Sequence, residues 1–223
     1  MGFQRARSAE QREQRREAIL AAAAAMLGEM PVSAVSLNEL SRRVGLAKSN
    51  VLRYFESREE ILMELLVRSS VAWLGALAAD VAATVDFDAP IEARTDRFAA
   101  LFAEGAAARP ELLDLLAAQS AVLERNVSTE AVVRCKRALR DALGEVVDVL
   151  LRVVPELGAA APSVCLTALT LAGAFYLQAE QAAACTAAYE EDPSLEVLRV
   201  ELVPALESAV ATLIAGAVAR AHG

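Results

Sequence analysis

Lys48, Ser49, Asn50, Arg53 and Tyr54 crowd into residues 48–54 and carry the most specific chemistry this sequence offers. An amide such as Asn50 pairs a donor with an acceptor and reads a base edge. Lys48 reaches guanine acceptors or a phosphate, and Leu52 between them meets a thymine methyl. Arg53 and Tyr54 suit phosphates, which orient a protein on a duplex without reading its sequence. Ser36 and Asn38 fall at the start of the preceding predicted helix, where backbone and side-chain donors face a further phosphate. Arg5, Arg7 and the Arg12/Arg15/Arg16 cluster add nonspecific attraction.

Such side chains need a rigid carrier, and the flanking residues predict two short helices joined at Val44-Gly45-Leu46. Ser36-Leu37-Asn38-Glu39 has the form of a capping box, with Ser36 capping a backbone N–H and Glu39 reaching back. Leu37, Leu40 and Val44 form one inner face; Ala47, Val51 and Phe55 form the next. Gly45 suits the left-handed turn between them. A first helix from about Ala9 to Gly28 places Ile19, Ala23, Met26 and Leu27 on one side. Ser57-Arg58-Glu59-Glu60 opens a fourth helix with a second capping box. Its apolar face runs through Ile61, Leu62, Leu65, Leu66 and Trp73 to about Ala83.

Net charge is −8, which argues against a nucleic-acid partner until it is located along the chain. Residues 1–53 carry +4 and the rest −12, a basic end on an acidic body. Cys135, Cys165 and Cys185 are odd in number and lack metal spacing, and they read as buried small hydrophobes in a reducing cytoplasm. The only histidine is His222, which disfavours a zinc site or a Ser-His-Asp triad. No catalytic residue, metal or cofactor is therefore expected. The Arg-rich N-terminus lacks the apolar core of a signal peptide. Residues 157–179 hold no charge over a membrane-spanning length, yet their Ala, Gly, Thr and Gln content suits a helix covered by protein rather than a membrane.

The remaining chain predicts helices near 90–107, 110–125, 128–154, 162–189 and 195–220. Loops fall at 158–161 and 190–194, and Pro204 kinks the last helix or marks a late start. The fold class is all-α: about nine helices, with a helix-turn-helix near the N-terminus on a larger helical body. Pocket candidates are aromatic and polar residues on apolar body helices: Trp73, Phe98, Phe102, Gln119, Ser120, Leu123, Phe175, Tyr176 and Gln178. Gln119 and Gln178 stand out, since a buried amide must find a partner.

Gly45-Leu46-Ala47-Lys48-Ser49-Asn50-Val51-Leu52-Arg53-Tyr54-Phe55, followed by Ser57-Arg58-Glu59-Glu60-Ile61-Leu62, resembles the helix-turn-helix of the TetR (tetracycline repressor) family of bacterial regulators. The family pattern has Ser where this chain has Ala47, Gly-Thr for Ser49-Asn50, and Tyr-Tyr-His for Leu52-Arg53-Tyr54. These departures lie where DNA is touched, so no relative's operator transfers. The resemblance implies a nine-helix homodimer, with a three-helix helix-turn-helix head (1–56) on a helical ligand-binding and dimerisation body (57–223), that binds a two-fold double-stranded DNA operator. It also implies an inducer pocket in the body, with an unknown small-molecule effector spreading the two heads. The last two helices would pair across the two-fold axis. Ala168, Ala172, Gly173, Ala179 and Ala183 are small enough for close approach, and Val210, Leu213, Ile214 and Val218 supply the apolar stripe. The alternatives are a helical scaffold without DNA binding, or an enzyme relying on scattered carboxylates such as Glu111, Asp114 and Glu180.

Overall fold

The computed structural model describes residues 2–180 and 183–221, with side chains from residue 10 onward except 120, 183 and 184. The side chains of Arg5, Arg7, Ser120 and Ala183, and all of His222, lie outside the described residues. Among the described residues there are ten α-helices and no strand. They are α1 (Gly2–Leu27), α2 (Leu37–Arg43), α3 (Lys48–Val51), α4 (Arg58–Thr84), α5 (Ile91–Ala107), α6 (Pro110–Ala118), α7 (Thr129–Val153), α8 (Ala161–Ala179), α9 (Ala183–Glu191) and α10 (Leu202–Ala221). A π-helical turn, Gln119–Leu123, follows α6, and 3-10 turns occupy Pro155–Ala160 and Pro193–Leu198.

Two expected elements differ. The predicted helix 162–189 breaks at Glu180 (φ −75°, ψ 68°) into α8 and α9, which raises nine helices to ten. Neither Gly nor Pro marks that break, so apolar periodicity runs straight through it. The last helix starts late, at Leu202, with Pro204 in its first turn, where the missing N–H is harmless.

The chain forms two compact units: residues 1–68 with 118–136, and 69–117 with 137–223. By packing, the division falls within α4, and a stretch from the middle of the chain belongs with the N-terminal helices. In the first unit, Ile19, Ala23, Met26, Leu40, Val51, Phe55, Ile61, Leu62 and Leu66 are buried, as are Leu123, Ala131 and Cys135. Each large apolar side chain so covered is worth ~1.5–3 kcal/mol. Ser57 caps α4 by accepting from Glu60 N–H (3.2 Å). The Glu60 carboxylate accepts from Glu56 N–H (2.6 Å) and pairs with Arg134 (2.8 Å). Glu56 in turn accepts from Ser128 N–H (2.6 Å). Ser128 caps α7 by accepting from Ala131 N–H.

In the second unit α10 packs on α5 and α8. Leu206, Val210, Ile214 and Ala217 are its buried face; Val164, Cys165, Ala168 and Ala172 are that of α8. At Gly173 a β-carbon would stand 2.9 Å from Ala117 N, so α8 lies directly against the backbone of α6. Arg94, only 10% exposed, pins three chain segments by donating to Ala89 O, Val153 O and Glu156. By length and composition, α4, residues 155–179 and α10 could each cross a bilayer; 50%, 33% and 22% of their apolar windows are buried within the protein, so the expected covering of residues 157–179 by protein is met in part by the chain itself.

Candidate nucleic-acid interface

Ser36, extended at φ −121° and ψ 148°, caps α2 by accepting from Glu39 N–H at 3.2 Å. Only this half of the expected capping box forms. The Glu39 carboxylate is held instead by Arg42 (2.6 Å) and Arg43 (3.0 Å), and Arg43 also reaches Glu29 (2.6 Å). Those bonds, Arg42's first and then Arg43's, lower the Glu39 carboxyl to about 2.

The far end of α2 closes as a Schellman turn. Gly45 takes φ +66°, donating to Arg42 O (3.3 Å), and Leu46 donates to Ser41 O (3.0 Å). Ala47 then starts α3, whose path continues past Val51 as a tightened turn: Arg53 N–H donates to Asn50 O and Tyr54 N–H to Val51 O. Val51 and Phe55 point inward at 0% and 1% exposure. Ala47 does not join them; as the residue preceding α3 it is exposed. Lys48, Ser49, Asn50, Leu52 and Arg53 form the exposed face, Tyr54 is half-buried, and Ser36 and Asn38 are exposed at the start of α2. The structure thus gathers these DNA-contact candidates onto the α2–α3 unit.

The arginines of α1 divide. Arg16 turns inward: it donates to Tyr54 O (3.1 Å), pairs with Glu64 and stacks 4.2 Å over the Phe55 ring. Its expected part in nonspecific attraction is corrected accordingly, because its charge is already matched and its plane is covered. Arg12 and Arg15 stay exposed. No spacing in the sequence separates Arg15 from Arg16 in this respect, since the partners lie far along the chain.

Among the ligand candidates, Trp73, Phe98 and Phe102 come together in the second unit, with ring centroids 5.0 Å (Trp73–Phe102) and 6.3 Å (Phe98–Phe102) apart. Trp73 is 1% exposed and its Nε1 has no hydrogen-bond partner among the described residues. A β-carbon at Gly105 would stand 2.9 Å from that nitrogen, a proximity that reading the sequence did not anticipate. Phe175 and Tyr176 are half-buried on α8, and burial pushes the Tyr176 phenol up. Gln119 and Leu123 belong to the first unit, where Gln119 donates to Glu124 (3.0 Å). Gln178 is exposed, so the expectation of a buried amide is corrected there.

The dimer candidates divide too. Ala168, Ala172, Val210 and Ile214 are buried within the chain, and the small size of Gly173 accommodates α6; none of these faces outward. Ala179, Leu213 and Val218 remain half-exposed. The open face of α8 is instead Ser163, Leu166, Thr170, Ala174 and Leu177, uncharged throughout. Cys135 and Cys165 are buried as expected, but Cys185 is exposed because α9 contributes no buried side chain among those described. Among the described residues no group of three or more His, Cys, Asp and Glu could hold a metal ion.

A capped helix, a left-handed glycine turn and a short second helix with a polar outer face define a helix-turn-helix module on an all-helical protein. Comparison with known proteins gives the family. The model of the tetR family of bacterial regulatory proteins matches residues 19–65, and that of the tetracyclin repressor-like C-terminal domain matches residues 68–221. The chain belongs to the TetR family of DNA-binding transcription regulators. A crystal structure presented as a TetR-family transcriptional regulator from Mesorhizobium loti is 15% identical, with a TM-score of 0.49 over 94% of this chain and 97% of that one. No curated protein matches the present chain in sequence.

Proposed function

We propose that the protein is a ligand-responsive repressor that acts in the cytoplasm as a homodimer on a two-fold operator and is released from it by a small-molecule inducer. The observation that carries this reading is the outward set Lys48, Ser49, Asn50, Leu52 and Arg53 on a face fixed from behind by Val51 and Phe55. Asn50 and Lys48 address base edges; Arg53, Tyr54, Ser36 and Asn38 hold phosphates. A two-fold operator requires two heads about one DNA turn apart. The uncharged face of α8, with Leu166 58% and Leu177 56% exposed, together with Leu213 and Val218 of α10, is the surface a second copy would cover.

The aromatic cluster of Trp73, Phe98 and Phe102 is what supports a sensor in the body. A buried indole N–H without a partner costs ~1–3 kcal/mol, and an effector with an acceptor would relieve it. Phe175 and Tyr176 are further candidates. An inducer works only by preferring the state that does not bind DNA; a coupling of about 1–3 kcal/mol changes affinity roughly 5–150-fold.

The test is fluorescence anisotropy on the duplex upstream of the protein's own gene. Salt-sensitive, sequence-selective binding by a dimer is expected. Asn50→Ala should blur the preference, and Arg53→Ala should weaken all sequences alike. A monomer indifferent to DNA would end this reading. Trp73 is the only tryptophan, so its emission reports on the sensor directly. A compound that releases DNA while leaving that emission unchanged would remove the cluster from the mechanism.

A further inference from the structure

We infer that α1 is a second DNA-contacting element, and that the groove it forms with the end of the reading turn is a binding cleft for duplex phosphates. This rests on the DNA-binding reading and adds a separate site to it. The groove is open, about 830 Å³, and its lining includes Gln11, Arg12, Gln14, Arg15, Arg53 and Tyr54. Among the described residues no carboxylate lines it.

Ion pairing in the head explains why this groove differs from an ordinary solvated helix face. Residues 10–68 contain nine Lys and Arg. Arg16, Arg42, Arg43, Arg58 and Arg68 each pair with a glutamate: Glu64, Glu39, Glu29, Glu59 and Glu17 respectively among their partners. Arg12, Arg15, Lys48 and Arg53 have no acidic partner among the described residues, and all four are exposed. Three of these four line the one groove. Glu17, on the same helix, is already engaged by Arg68 at 2.6 Å and 2.7 Å. Glu10 and Glu13 of the same helix are exposed but do not line the groove, so three of the head's four unpaired cations gather at it.

Arg12 and Arg15 lie one turn apart on α1, about 4.5 Å along its axis, and face the same way. The Gln11 and Gln14 amides beside them can donate to phosphate oxygens. Contacts of this kind carry no sequence information. Their signature is counterion release, which steepens the salt dependence of binding by roughly 0.9 per neutralised phosphate.

The experiment compares the full-length protein with its Arg12→Gln/Arg15→Gln variant. The probes are a duplex selected by the wild-type chain from a randomised library and a scrambled duplex of equal length. The plot of log Kobs against log salt should become shallower by about 2 on both duplexes, with the ratio of their affinities unchanged. The Arg12→Lys/Arg15→Lys variant should restore the slope, which separates lost charge from a damaged fold. An unchanged slope in the Gln variant, with the wild type still selective, overturns this site and leaves the reading turn intact. A changed affinity ratio overturns it as well, since the groove would then be reading bases. Lost heparin binding with an unaltered duplex slope would make it a general polyanion site and end the DNA assignment. If the wild type shows no selectivity and Asn50→Ala changes nothing, the failure lies in the DNA-binding reading itself.

Discussion

Gly173→Ala and Gly144→Ala are the same chemical change and should shift stability in opposite directions. Alanine in place of glycine inside a helix ordinarily gains ~0.5–1 kcal/mol, because glycine loses more backbone freedom on folding. At Gly144, exposed in α7, a β-carbon meets nothing within 4 Å, so that gain should appear almost whole. At Gly173 the same carbon lands 2.9 Å from Ala117 N and 3.2 Å from Ala117 Cα and Leu116 C. These are backbone atoms of α6, which cannot rotate aside as a side chain would. Overpacking of this kind costs ~1–3 kcal/mol, so at the middle of both ranges Gly173→Ala is less stable by about 1 kcal/mol once the helix gain is deducted. Urea titration at a fixed protein concentration, with a common m value, measures the difference. Thermal midpoints should move by about 2–4 °C per kcal/mol for a chain of this size. A Gly173→Ala protein as stable as the wild type would show that α6 and α8 are not in backbone contact.

Gly45→Ala should cost ~1–2 kcal/mol through its left-handed φ of +66° alone, since the added carbon meets nothing within 4 Å; Gly45→Asn should cost less, and a neutral alanine would contradict the turn. Thiol titration of the native protein should find one fast cysteine, Cys185, with Cys135 and Cys165 reacting only on unfolding; burial pushes the Cys165 thiol up to about 12, and a second fast thiol would refute its burial. Glu39 titrates at about 2 in the folded chain, below its ordinary 4.5, so its contribution is fully present above about 4.5 and fades as pH falls toward about 2. The stability gap between wild type and Glu39→Gln should narrow across that window and shrink in high salt; a constant gap would exclude the Arg42 and Arg43 pairing as its source.

The head was legible in the sequence because its determinants are local. A serine cap, a glycine that must adopt positive φ and apolar residues at helical spacing are all set within a few positions of one another. Ile61, Leu62, Leu65, Leu66 and Trp73 are likewise buried where periodicity put them. What the sequence hid depends on distant partners. Arg15 and Arg16 are neighbours of one type, and only Glu64, Tyr54 and Phe55 decide which of them turns inward. The smallness of Gly173 invites close approach by a second subunit, but nothing in the sequence says that α6 is what approaches. The break at Glu180 lacks a Gly or Pro signal, and without it Gln178 and Cys185 looked like parts of one buried helix.

The hydrogen bond from Ser128 to Glu56 and the ion pair of Arg134 with Glu60 bear on how such regulators could be rewired. A chimera that transplants a foreign reading module by splicing at residue 56, or even at 68, would leave behind the 118–136 stretch that folds with it. Both cut surfaces would then carry orphaned polar groups. A cassette able to bring its own operator preference into a new host would need two separate inserts, moved as a pair.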